Sequence, residues 1–167
     1  MSYAVVTSSR TGNTRQLADV IQEVLQEEEI LYIGKVSKEA KNADVLFVGF
    51  WTDKGTCSEE MKEFLNTLEG KKIFLFGTAG FGQSQTYFDQ IIERVKKEIP
   101  HSNQVIGSYM CQGKMPITVR ERYIKLQKED PTNKQYEKLI QNFDTALSHP
   151  DQQDLEGIRK KVLEIVK

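Results

Sequence analysis

The chain is poor in the residues on which much of protein chemistry depends. Among 167 residues there are two cysteines, Cys57 and Cys111, and two histidines, His101 and His149. The cysteines lack metal-type spacing and are too few for a disulfide framework, so the sequence predicts neither a zinc site nor a stapled secreted domain. Charge of one sign is missing as well. Lysine plus arginine number 23 against 24 acids, for a net charge of -1, and this balance predicts neither a nucleic-acid partner nor a membrane surface. No apolar run approaches the length of a membrane span. The first residues lack a basic stretch followed by an apolar one, so no secretory leader is expected and the reducing cytoplasm is the expected compartment.

What is present is a rhythm. Short apolar runs predict strands over Tyr3–Ser8, Glu29–Gly34, Asp44–Phe50, Lys71–Thr78 and Gln104–Met110. Longer runs with apolar residues at helical spacing alternate with them. Leu17, Val20, Ile21 and Val24 mark a helix over Thr14–Leu25; Met61, Phe64, Leu65 and Leu68 mark Ser58–Leu68; Ile91, Ile92 and Val95 mark Tyr87–Ile99. A last helix is expected over Asp154–Val166, after the breaker Pro150. This alternation predicts an α/β three-layer sandwich, a mostly parallel sheet covered on both faces, in one domain over residues 1–167. One stretch departs from it. Residues 112–150 are too long for a bare loop and read as a helix, a stop at Pro131, and a second helix.

The loop after the first strand, Ser8-Ser9-Arg10-Thr11-Gly12-Asn13-Thr14, is rich in hydroxyls. A triphosphate loop would place lysine after its last glycine, and a dinucleotide loop would space three glycines; this loop has neither. Hydroxyls, one glycine and an adjoining helix start suit a single phosphate monoester. The same residue types also serve as ordinary helix caps, and both readings stand.

Two further loops leave the carboxyl ends of strands. Trp51, the only tryptophan, precedes Thr52, Asp53, Lys54 and Gly55; Thr78, Ala79 and Gly80 precede Phe81 and Gly82. Trp51 and Phe81 can sandwich a planar ring or simply cover the edge of the core.

These features resemble the flavodoxin family over nearly the whole chain. Ser9-Arg10-Thr11-Gly12-Asn13-Thr14 matches the family's phosphate loop position for position, Trp51 and Phe81 look like its ring-stacking aromatics, and "HPDQQDLEGIRKKV" is similar to its C-terminal segment. The resemblance implies a flavodoxin-like five-stranded parallel sheet of order 2-1-3-4-5. It implies FMN bound noncovalently by Ser9–Thr14, Trp51–Gly55 and Thr78–Gly82. The implied function is electron transfer between a reductase donor and an acceptor oxidoreductase, through the flavin semiquinone and hydroquinone, by a monomer. In the family, a peptide beyond the first aromatic rotates on one-electron reduction; Lys54-Gly55 is the matching peptide. An FMN-dependent NAD(P)H or quinone reductase and a flavin-free interaction module are the alternatives on the same fold. Phe81 departs from the tyrosine of the best-known members, and "CQGK" at Cys111–Lys114 has no counterpart in them. Cys111 to Met115 are expected to border the flavin or a partner surface, with Cys111 itself read as a packed or half-exposed thiol. Arg120, Arg122, Lys125 and Lys128 read as a docking face for an acidic partner or as a solvated helix face.

Overall fold

The computed structural model describes residues 1–82 and 84–166. Five strands, β1 (Ser2–Thr7), β2 (Glu29–Gly34), β3 (Val45–Trp51), β4 (Lys72–Ala79) and β5 (Gln104–Gln112), form one parallel sheet of order β2-β1-β3-β4-β5. The order is the expected one. Helices α1 (Asn13–Val24), α2 (Glu59–Asn66), α3 (Gln85–Lys96), α4 (Ile117–Glu129), α5 (Gln135–Ala146) and α6 (Gln152–Val166) complete the fold, with a short 3-10 helix at Lys38–Asn42. No described helix is long and apolar enough to cross a membrane.

Alternation along the central strands builds two cores. Leu46, Val48 and Phe50 of β3, with Ile73 and Leu75 of β4, pack on Met61, Leu65, Ile91 and Val95 of α2 and α3. Val45, Phe47, Phe74 and Phe76 face the other way, onto Leu17 and Ile21 of α1 and Ile158 and Val162 of α6. Successive side chains of a strand point to opposite faces, so burial on both faces leaves no polar positions. Hence β3 and β4 read as continuous apolar runs.

The edges differ. β2 lies outermost and is exposed at alternate positions, with Leu31 44% and Ile33 41% accessible, which accounts for its weak signal in the sequence. β5 runs past Met110 to Gln112, pairing Cys111 with Thr78 and Gln112 with Ala79. α3 starts two residues before Tyr87, because Ser84 caps it by accepting from the Tyr87 N–H at 3.2 Å. The stretch around Pro131 breaks as expected, and α4 and α5 pack on each other, tied by Arg120 Nε to Asp144 Oδ1 at 2.8 Å.

Candidate functional site

A cavity of about 310 Å³ opens at the carboxyl ends of β1, β3, β4 and β5. Parallel sheets gather their loops there, beside the point where strand order reverses between β1 and β3. A second cavity, about 450 Å³, opens at the opposite end of the sheet. Among the described residues its wall joins Met1, Tyr3, Val45, Ile106 and Ile165 to a single charged side chain, Lys72.

The first wall is the loop before α1. Arg10, Thr11 and Asn13 line the cavity. Gly12 precedes the helix at φ +86°, with open space where a Cβ would stand, so its role is conformational. The Ser9 hydroxyl accepts from the Gly12 N–H at 3.1 Å and shapes the bend. The start of α1 has no side-chain cap and no acidic residue in its first turn. Among the described residues no side chain meets its first N–H groups, and the helix dipole adds partial positive charge there.

Thr14 behaves differently from expectation. Its hydroxyl is fully buried, donates to the Phe50 carbonyl at 3.1 Å, and lies 3.1 Å from the Thr78 hydroxyl. The Thr78 carbonyl in turn accepts from the Thr52 hydroxyl at 2.8 Å. These threonines strap three loops together beneath the cavity. Asn13 is also turned inward: Nδ2 donates to the Lys114 carbonyl at 2.8 Å, while Oδ1 is buried without a partner among the described residues.

The second wall follows β3. Trp51 ends the strand half-buried, with the Arg10 guanidinium over its ring at 5.5 Å. Asp53 and Thr56 then exchange backbone hydrogen bonds, Asp53 N–H to Thr56 at 2.7 Å and Thr56 N–H to Asp53 at 3.2 Å. The two residues between them both have positive φ, Lys54 at +54° and Gly55 at +84°. Positive φ at both central positions defines a type I′ turn, and a lysine there carries strain of about 1–2 kcal/mol. Arg94 of α3 braces the turn, its Nη1 donating to the Gly55 carbonyl at 3.1 Å.

The third wall is the loop after β4, with Thr78, Ala79, Gly80 and Phe81 in the lining. Phe81 is 41% exposed, a large apolar side chain left in water. The Gly80 carbonyl accepts from Gln112 Nε2 at 2.9 Å and from Asn142 Nδ2 at 3.0 Å, so α5 grips this loop.

Of the expected site residues, all but Ser9, Gly12, Thr14 and Gly82 line the cavity, and Ser9, Gly12 and Thr14 lie directly behind it as loop-shaping or strapping groups. The fourth wall was less visible in the sequence. Gly113, Lys114 and Met115 border the cavity as anticipated, but α4 adds Val119, Arg122 and Tyr123, and α3 adds Tyr87. Their only signal was that an unassigned helical segment follows a strand's carboxyl end. Cys111 does not border the cavity. It is buried in the core under α1 and α6, and burial, then the charges of Asp154 and Asp151, push its thiol far up, so it stays protonated.

The cavity fits a flat ring bearing a phosphate tail. It has the volume of a small-ligand site, an aromatic on each of two facing loops, an uncapped helix start at one end, and an unpaired buried acceptor on Asn13.

Comparison with known proteins agrees with this architecture. The flavodoxin domain model matches residues 4–163. The flavodoxin-like domain-containing protein BilS of Clostridium symbiosum (strain WAL-14163) is 41% identical over 173 aligned residues, covering 93% of this chain and 90% of that protein. Among solved structures, a Streptococcus pneumonia TIGR4 flavodoxin superposes with a TM-score of 0.60 at 16% identity, covering 99% of this chain and 98% of that one. A Lactobacillus acidophilus flavoprotein solved in complex with FMN gives a TM-score of 0.50 at 14% identity, over 66% of this chain and 93% of that one. At such identities the two structures speak for the fold alone. With the family model spanning nearly the whole sheet and every loop of the cavity, the chain belongs to the flavodoxin domain family.

Proposed function

We propose that this chain binds FMN noncovalently and carries electrons between a donor reductase and an acceptor oxidoreductase, as a cytoplasmic monomer of one domain. The observation that carries the reading is the uncapped start of α1 beneath a hydroxyl-bearing loop, at one end of a cavity flanked by Trp51 and Phe81. FMN, when bound, supplies the capacity to take up and release electrons singly or in pairs.

The residues then divide their roles. The first N–H groups of α1, with Thr11, offer donors to the phosphate, and Gly12 lets the backbone approach closely. Trp51 and Phe81 offer their faces to the ring and keep bulk water from it. The Lys54–Gly55 peptide sits in a strained turn with glycine on one side, so turning its carbonyl toward the ring is inexpensive there. Arg94 holds the next carbonyl still, which confines the motion to that one peptide.

The test is reconstitution. The protein incubated with FMN and desalted should be yellow, retain about one flavin per chain, and be reduced by a separate reductase. A colourless protein that cannot be reconstituted would contradict the reading. The wall supplied by Met115, Val119 and Tyr123 favours one alternative, an FMN-dependent NAD(P)H or quinone reductase with a substrate shelf. Steady NAD(P)H consumption by the flavin-loaded protein alone would support that alternative.

A further inference from the structure

The mouth of the cavity is cationic in a chain that is not. The net charge of the whole is -1. Yet the charged side chains of the lining, among the described residues, are Arg10, Lys54, Lys114 and Arg122 against Asp53 alone. All four cations are exposed, and none is paired with an acid among the described residues. Outside the lining, Arg120 is paired with Asp144 and Arg159 with Glu23, each at 2.8 Å, while Arg15 and Arg94 have no acidic partner among the described residues. The expected basic face on α4 is thus divided: Arg120 is committed to α5, while Arg122 turns to the cavity and lies over the Tyr123 ring at 6.0 Å. Within this ring of charge stands exposed Phe81, 41% accessible.

We propose that this face docks a protein partner through an acidic patch. Phe81 supplies the apolar centre; Lys54, Lys114 and Arg122 supply the steering charge. An apolar centre within a charged rim is the anatomy of a transient protein interface, and complementary charge chiefly sets its rate of encounter. A single small anion would call for convergent, partly buried donors. These cations come instead from three separate segments and are all in water. Arg10 lies in the loop assigned to a phosphate and shares its field with that group, so it is left out of the three. The inference rests on the FMN reading for the purpose of docking, though not for the charge of the face.

Two experiments test it. In the first, FMN-loaded, fully reduced protein is mixed by stopped flow with ferricyanide, two ions accepting the two electrons of each flavin, and separately with the cation tris(phenanthroline)cobalt(III). The ferricyanide rate should fall about tenfold between low and high salt, and the cobalt rate should rise. Lys114→Glu/Arg122→Glu should reverse both trends, while Lys114→Arg/Arg122→Lys keeps them. Salt dependences of the opposite sign, or no response to the charge-reversing pair, would overturn the proposal.

In the second, the flavin-free protein is titrated with poly-L-glutamate and followed by Trp51 fluorescence. Binding at low salt, lost with salt and with the charge-reversing pair, is expected. No binding, or equal binding of monomeric glutamate at the same carboxylate concentration, would overturn it. Because this arm uses no flavin, failure to reconstitute FMN and failure of the docking surface are read separately.

Discussion

Two kinds of helix start meet the carboxyl end of this sheet. α2 and α3 are closed: Ser58 accepts from the Met61 N–H at 3.4 Å, Ser84 accepts from the Tyr87 N–H at 3.2 Å, and Glu59 and Glu60 lie in the first turn of α2. α1 is open. It begins at a left-handed glycine, with no capping side chain and no acid in its first turn, although serines and threonines crowd the loop before it. The chain has the means to cap α1 and does not use them. The Ser9 hydroxyl shapes the bend and the Thr14 hydroxyl is spent on the strap below. A helix start left unsatisfied costs free energy unless water or a ligand meets it. α4 likewise starts without a side-chain cap or an acid in its first turn; what sets α1 apart is the left-handed glycine and the hydroxyl-bearing loop at its start, which suit an anion.

The comparison breaks first if α1 is made to resemble α2. Thr11→Asp puts a carboxylate on the open loop. At about 5 Å and an effective dielectric constant of about 20, one pair of like charges repels by about 3 kcal/mol, so FMN affinity should fall at least about 100-fold while riboflavin affinity stays. Fluorescence titration measures both.

The next effect concerns the strap. Thr14→Val keeps the shape but leaves the buried Thr78 hydroxyl without its partner. It should cost about 1–3 kcal/mol in urea unfolding and change the FMN-to-riboflavin affinity ratio little. A loss confined to FMN would return Thr14's hydroxyl to the phosphate.

Removing the closed caps should be milder and purely structural. Ser58→Ala and Ser84→Ala should each cost about 1 kcal/mol of stability and leave flavin affinity unchanged.

The smallest effect is at the α4–α5 tie. The Arg120 hydrogen bond holds the Asp144 carboxyl below its ordinary 3.8. A carboxyl depressed in the folded state contributes above its unfolded value, and that contribution is lost as pH falls through the folded one. Asp144→Asn should therefore be slightly less stable than the parent near neutral pH, and the two should converge toward about pH 2. The pair is exposed, so the difference should be smaller than that of either cap.

The sequence made the centre of the fold readable and its periphery less so. β3 and β4 stood out because burial on both faces leaves only apolar residues such as Phe47 and Phe74. The three loops followed from the strand ends, which is why Thr11, Trp51 and Phe81 were found together. The end of β5 was hidden. Gln112 looks like a loop residue, yet it is buried in the sheet because Gly80 and Asn142, 30 or more residues away, take its amide. Tyr123 and Arg122 were missed as cavity residues for the same reason, since the position of α4 depends on contacts through α5 that no local pattern records. The direction of Thr14's hydroxyl has no local signal, because its acceptor belongs to another strand.

The most direct test of the open helix start is to titrate the flavin-free protein with FMN and with riboflavin, following Trp51 fluorescence. FMN should bind at least about 100-fold more tightly, the phosphate accounting for about 2.7 kcal/mol or more, and both ligands should quench Trp51 when bound. Equal affinities for the two would show that no phosphate is held at α1 and would contradict the account.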